Sequence, residues 1–296
     1  MALNINTLRT RSLTALFFVV IMLSGLLYNY WSFFILFSII HFGCWIEYQK
    51  LVGIIDEGYQ KVHKQDKLLV MLGGWGFMLM MVNQNIDFFN MNLNNIGKWL
   101  IIFAVIEIIL FNLFSGSPHK IKNLTYSLFG LIYISLSFGL MMSLRNHAMI
   151  IKGKSLFVDF GFALPLLLIV SIWVNDTMAY FVGSLIGKNP LSSISPKKTW
   201  EGTIGGGILC VIVISCLVYF LLDKSLLYLA LIVSSIAAVF GTFGDLLESK
   251  LKRLANVKDS GSFMPGHGGF LDRFDSLLIA TPIVWIVLKV FSEFLN

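Results

Sequence analysis

The chain has 296 residues, 57% of them hydrophobic and only 13% charged, with a net charge of +6. Soluble domains carry about 25% charged residues, so a soluble globular domain is excluded and the chain reads as an integral membrane protein. Its positive charges are spread over short loops between apolar runs, the pattern that orients membrane helices, which excludes nucleic acid as a partner.

A bilayer-spanning helix needs about 20 mostly apolar residues. Nine segments qualify, at roughly 13–29, 31–47, 68–83, 99–114, 124–143, 160–182, 203–222, 226–244 and 276–292. The first follows Arg9 and Arg11 but lacks a small-residue cleavage site, and a second span follows at once, so it reads as a retained helix and not a signal peptide. Glu47, near the end of the second, reads as interfacial. Gly73, Gly74 and Gly76 weaken the third as a helix, and Glu107 in the fourth has no evident partner. The Asn-rich stretch 83–95 reads as an external loop. The cysteines Cys44, Cys210 and Cys216 lie in apolar segments without a CxxC spacing, so neither a zinc site nor a disulfide framework is indicated.

Placing the N-terminus in the cytoplasm puts 16 of the 22 Lys and Arg residues inside, and the bias alternates loop by loop. The expected fold is therefore an all-α polytopic membrane protein of about nine transmembrane helices with a cytoplasmic N-terminus. No clear internal repeat appears. Residues 1–120 read as a transmembrane scaffold and 121–296 as the region carrying the chemistry.

Four polar features stand out in that region, in chain order. Asn175-Asp176 lies inside the sixth span, and an ionisable group at that depth is functional by default. Ser195-Pro-Lys197-Lys198-Thr-Trp200-Glu201-Gly202 places two lysines at the mouth of the seventh span; alone it would be a topology-setting loop with an aromatic anchor. Asp245, Glu248, Ser249 and Lys252 recur at three- and four-residue steps, one face of a helix if the eighth span continues past Gly244. Finally, Lys258-Asp259, the Pro265-Gly-His267-Gly268-Gly269 turn and Asp272-Arg273-x-Asp275 combine carboxylates for a hard cation, cations for a polyphosphate and glycines for backbone anion binding. His267 reads equally as a metal or phosphate ligand or as a cap of its loop.

The pattern Ser249-x-Leu-Lys252-Arg253-x4-Lys258-Asp259-x-Gly261 followed by Pro265-Gly-His267-Gly-Gly-x-x-Asp272-Arg273-x-Asp275 resembles the signature of the phosphatidate cytidylyltransferases, also called CDP-diacylglycerol synthases. The Ser195–Gly202 box and Asn175-Asp176-Thr177-x-Ala179-Tyr180 are similar to that family's pattern too. Met264 stands where the family prefers Leu, Ile or Phe, an apolar exchange. The resemblance covers the C-terminal part of the chain; the N-terminal half matches in hydropathy alone.

The resemblance implies transfer of the cytidylyl group of CTP to phosphatidic acid, giving CDP-diacylglycerol and pyrophosphate in phospholipid biosynthesis. It implies a magnesium-dependent enzyme, with a second metal or a monovalent ion left open. It further implies a homodimer in a bacterial inner membrane, its active site facing the cytoplasm. On it, Asp245, Asp272, Lys258, Asp259, Arg273 and Asp176 are the candidate catalytic residues. Lys197, Lys198, Ser249, Lys252, Arg253, His267, Gly268 and Gly269 are candidates for substrate binding, and Asp245, Asp272 and Asp275 for the metal, with Asp259 secondary. Two alternatives stay open: a CTP-dependent polyprenol or phytol kinase, and a transporter. A transporter would place its charges at mid-membrane in broken helices.

Overall fold

A computed structural model describes residues 5–83, 87–88, 91–114, 120–146, 161–263 and 268–294. The described residues are all-α apart from an antiparallel pair of two-residue strands in the Asn-rich stretch, β1 (Asp87–Phe88) and β2 (Met91–Asn92). Among the described residues six helices are long and apolar enough to cross a membrane: Tyr30–Ile55, Ile121–Asn146, Ala163–Ile186, Trp200–Leu221, Lys224–Leu254 and Leu271–Phe291. The other three predicted spans fall in α1 (Ile5–Leu27), α4 (Lys64–Met80) and α5 (Leu93–Phe114), all of them helical. Helix α4 has 17 residues, about 26 Å at 1.5 Å per residue, against a hydrocarbon core of about 30 Å.

The chain forms two compact units. The first takes residues 1–146 together with 254–273; the second takes 147–253 and 274–296. The signature is thus divided between them.

In the first unit, α2 (Tyr30–Ile55) is the central helix. A capping box between Asn29 and Ser32 starts it. It stops at Asp56, whose carboxylate accepts from Tyr59 N–H at 2.9 Å to begin the single turn α3 (Glu57–Gln60) and also pairs with Lys122. That lysine holds the Asp56 carboxyl below its usual range. Phe33, Phe37, Trp45 and Tyr48 of α2 are completely buried. They pack in part against α6 (Lys120–Gly130), a π-helical turn Leu131–Ser135 and α7 (Leu136–Asn146). The π turn brings Ser135 Oγ to both Trp45 Nε1, 2.9 Å, and His41 Nε2, 3.0 Å, so a polar group inside the apolar core is hydrogen-bonded. The glycines that weaken α4 serve its packing. A Cβ at Gly76 would meet the Gly97 carbonyl and Leu100 of α5 at 3.0 Å, so the bare backbone lets the two helices approach. Glu107 of α5 has a neighbour after all, because it lies within electrostatic reach of Asp66 on α4.

The second unit packs α8 (Ala163–Ile186), α9 (Trp200–Leu221), α10 (Leu227–Leu254) and α11, which runs Leu271–Phe294. Gly202 and Gly206 of α9 face Ala179 and Gly183 of α8 so closely that a Cβ at Gly206 would lie 2.5 Å from the Ala179 backbone. This is the small-residue seam of membrane helix pairs. Cys210, Ile214 and Val218 close the core of this unit with Ala230 of α10. Gly244 of α10 lies against the Asp275 carbonyl of α11, which puts the two helices in backbone contact beside Asp245.

Candidate active site

Each unit carries one polar cluster. In the second, α10 continues past Gly244 to Leu254, so Asp245, Ser249 and Lys252 share the predicted face. Ser249 Oγ donates to Asp245 Oδ1 at 3.2 Å. Asp245 also forms an ion pair with Lys198, both side chains keeping about a quarter to a third of their surface exposed. Asp275 of α11 is within electrostatic reach of Asp245, Asp176 and Lys198. Asp275 thus lies within reach of carboxylates on two other helices and of the lysine that pairs with one of them. Asp176 is exposed although it lies in the middle of α8, and its neighbour Asn175 is buried.

Lys198 is held by a short hairpin. Pro190 bridges to Thr199, Leu191 N–H donates to the Lys198 carbonyl at 2.7 Å, and Lys198 N–H to the Ser195 carbonyl at 3.1 Å. Thr199 caps α9 through Gly202 N–H, 3.1 Å. Glu201 closes the base, accepting from Lys188 N–H at 3.1 Å and from the Asn189 side chain at 2.6 Å. The loop is therefore a preorganised support for Lys198, and Lys197 beside it is exposed. Arg253 Nε reaches the Ile194 carbonyl of the same loop at 3.5 Å. Lys252 differs from a freely offered phosphate ligand. Its ammonium lies 2.5 Å from Glu248, a completely buried carboxylate one helical turn earlier. Removing either partner would leave the other charge poorly compensated.

The cluster of the first unit is built on Asp272 and Glu47. Asp272 Oδ2 accepts three hydrogen bonds, each 2.8 Å long, from Ser260 N–H, Ser260 Oγ and Gly269 N–H. Glu47, read from the sequence as interfacial, is 8% exposed and so buried within the protein. Its Oε1 accepts from Phe270 N–H at 2.9 Å, and its Oε2 from Leu271 N–H at 2.9 Å and Ser260 Oγ at 2.7 Å. These amides stand at the N-terminus of α11, where backbone donors lack helical partners and a negative charge is favoured. Gly268 has φ +82° and a Cβ there would strike Asp272, so the turn requires glycine. Gly261 and Gly269 admit the Glu47 carboxylate against their backbones.

This revises the expected role of the glycines. The anions approached by the described part of the loop are the protein's own carboxylates, and Gly269 N–H is directed to Asp272 and not outward to a phosphate. Lys258, Asp259 and Arg273 are exposed. His267, with Met264, Pro265 and Gly266, lies outside the described residues.

Sequence reasoning missed Glu47, Ser260 and Glu201 as parts of these arrangements. A carboxylate inside an apolar helix was the available signal for Glu47; Ser260 occupies an unspecified position of the signature. Among the described residues no three His, Cys, Asp or Glu side chains form a ready metal cage. Magnesium asks for less, since one or two carboxylates with waters and substrate phosphates commonly hold it. The neighbouring Asp245 and Asp275 suit that demand.

The Cytidylyltransferase family pattern matches residues 9–291. The phosphatidate cytidylyltransferase of Bacillus subtilis (strain 168) is 35% identical over 193 residues, 64% of this chain and 68% of the relative. That of Thermotoga maritima is 44% identical over 140 residues, 45% of this chain and 51% of the relative. That of Staphylococcus haemolyticus is 47% identical over 119 residues, 40% of this chain and 45% of the relative. The chain thus spans two thirds of the Bacillus protein and about half of the other two. With a family match over nearly its whole length, the chain belongs to the cytidylyltransferase family.

Proposed function

We propose that this protein is a phosphatidate cytidylyltransferase, converting CTP and phosphatidic acid to CDP-diacylglycerol and pyrophosphate. The observation that carries the reading is the ion pair of Asp245 with the rigidly held Lys198, with Asp275 in reach of both, in a family whose similar members bear that name.

The chemistry asks little of a general base. A phosphate monoester has a second pKa near ~6, so the lipid phosphate is largely a dianion at neutral pH and is itself the nucleophile. One of its oxygens attacks the α-phosphorus of CTP in line, the α–β phosphoanhydride bond breaks, and pyrophosphate leaves with the electron pair. The obstacle is repulsion between two anions. Lys198 and Lys197, with Arg253, Lys258 and Arg273, supply the positive charge that offsets it. Asp245 orients Lys198 through their ion pair, and Ser249 fixes the Asp245 carboxylate. Asp245 and Asp275 are the ligands proposed for magnesium, and the resemblance to the family signature makes Asp272 a further candidate. Magnesium, when bound, supplies charge neutralisation on the CTP phosphates.

Incubation of the purified protein with labelled CTP, phosphatidic acid and magnesium is expected to move label into the lipid extract as a CDP-lipid. Release of CDP with phosphorylation of a lipid alcohol would instead identify a CTP-dependent lipid kinase. Transport into proteoliposomes without CTP turnover would identify a transporter.

The finer topology belongs to the same proposal: nine transmembrane helices, a cytoplasmic N-terminus, a homodimer, and a bacterial inner membrane with the site facing the CTP pool. The charge bias of 16 residues against six supports the orientation. In a cysteine-free background, Ser193→Cys and Ser262→Cys are expected to resist an impermeant thiol reagent in intact cells and to react after lysis. Labelling of either position in intact cells would overturn this orientation.

A further inference from the structure

We infer that Glu47, on the second helix and more than two hundred residues before the signature, is a positioning residue for the catalytic loop: a built-in anion that fixes the backbone at the start of α11 and, through Ser260, the carboxylate of Asp272. The inference rests on the functional reading above for its kinetic arm alone.

Its basis is the combination of burial, donor count and packing. At 8% exposure the Glu47 carboxylate has little access to solvent and depends on protein donors. It receives them from three successive parts of one segment: Ser260 Oγ, Phe270 N–H and Leu271 N–H, at 2.7–2.9 Å. Gly261 and Gly269 lie against it on the backbone side, so any larger residue there would collide with its oxygens. About one turn earlier, Gly43 of the same helix accommodates the ring of Phe270. Helix α2 therefore meets this segment through both a shape contact and a charged one.

Ser260 is the joint. Its Oγ stands 2.7 Å from Glu47 Oε2 and 2.8 Å from Asp272 Oδ2, while its own N–H donates to Asp272 at 2.8 Å. A hydroxyl has one proton to donate, so the two carboxylates share it, and a change at Glu47 is felt at Asp272. Among the described residues Glu47 touches those that carry the chemistry only through this backbone and this serine, which makes it positioning and not catalytic.

The test uses the full-length protein in detergent. Glu47→Gln keeps the shape but turns one acceptor into a donor facing an N–H. It is expected to lower kcat about 100-fold, as a misplacement near 1 Å does, while KM for CTP changes less than about threefold and the melting temperature stays close to wild type. Amide exchange in a peptide covering 260–272 should accelerate, with peptides from α9 unchanged. Ser260→Ala, which removes only the joint, is expected to give a smaller loss of the same kind, and the double variant should lose less than the product of the two single effects. Wild-type kcat and exchange in Glu47→Gln would overturn the inference. So would a kcat loss that merely tracks the folded fraction with exchange at 260–272 unchanged. If Glu47→Gln does not fold, Ser260→Ala decides, and wild-type kcat and exchange there would overturn it. A wild-type protein that makes no CDP-lipid would refute the proposed function, yet the exchange comparison needs no substrate and still decides the role of Glu47.

Discussion

Asp245→Asn is expected to lower kcat by about 10²–10³-fold, the range seen when one preorganised charge-stabilising group is lost. The substitution is nearly isosteric and keeps an acceptor for Ser249 Oγ, so α10 should stay intact. What goes is the negative charge that pairs with Lys198 and, in the proposed reaction, holds magnesium. Two consequences should be seen together. The magnesium concentration for half-maximal activity should rise, and Lys198, released from its ion pair, should tolerate Lys198→Gln with little further loss in the Asp245→Asn background. Steady-state kinetics across a magnesium titration checks both. Near-normal turnover at low magnesium would remove Asp245 from the ligand set.

Asp272→Asn and Asp272→Ala are expected to separate charge from architecture in the other cluster. Asparagine can still turn an oxygen toward Ser260 N–H, Ser260 Oγ and Gly269 N–H, so the loop should persist with weaker bonds. Turnover should nonetheless fall at least about 10²-fold, because the charge assigned to metal binding is gone. Alanine leaves those donors without Oδ2. A buried donor left unpaired costs about 1–3 kcal/mol, and Ser260 is only 3% exposed. Asp272→Ala should therefore lose activity and also melt several degrees lower, which differential scanning in detergent would show. Equal melting temperatures for the two variants would mean that the hydrogen bonds at Oδ2 contribute little to the loop. Full activity in Asp272→Asn would mean that Asp272 serves only the architecture.

Much of the protein is legible in its sequence because the relevant signals are local. Every predicted span is helical, because a run of apolar residues in lipid satisfies its backbone only within itself. The continuation of α10 past Gly244 followed from polar residues at three- and four-residue steps, which pair only on a helix. The signature carried the family and hence the chemistry, since phosphate and metal binding require particular residue types at close spacing.

The pairing partners were decided by tertiary structure alone. Glu47 and Ser260 are 213 residues apart, and no periodicity or motif reports a contact across that distance. The sequence left Glu47 at the interface because an isolated carboxylate near a helix end is most simply solvated there. In the folded chain it lies between two glycines with three donors directed at it, which makes burial tolerable. The same reason separates Lys252 from Lys198. Both read as phosphate ligands in a basic stretch, but Lys252 lies against buried Glu248, whereas Lys198 is carried by a hairpin to Asp245. Residue type and spacing determined what this protein can do; which of its charges face each other was determined by which helices pack.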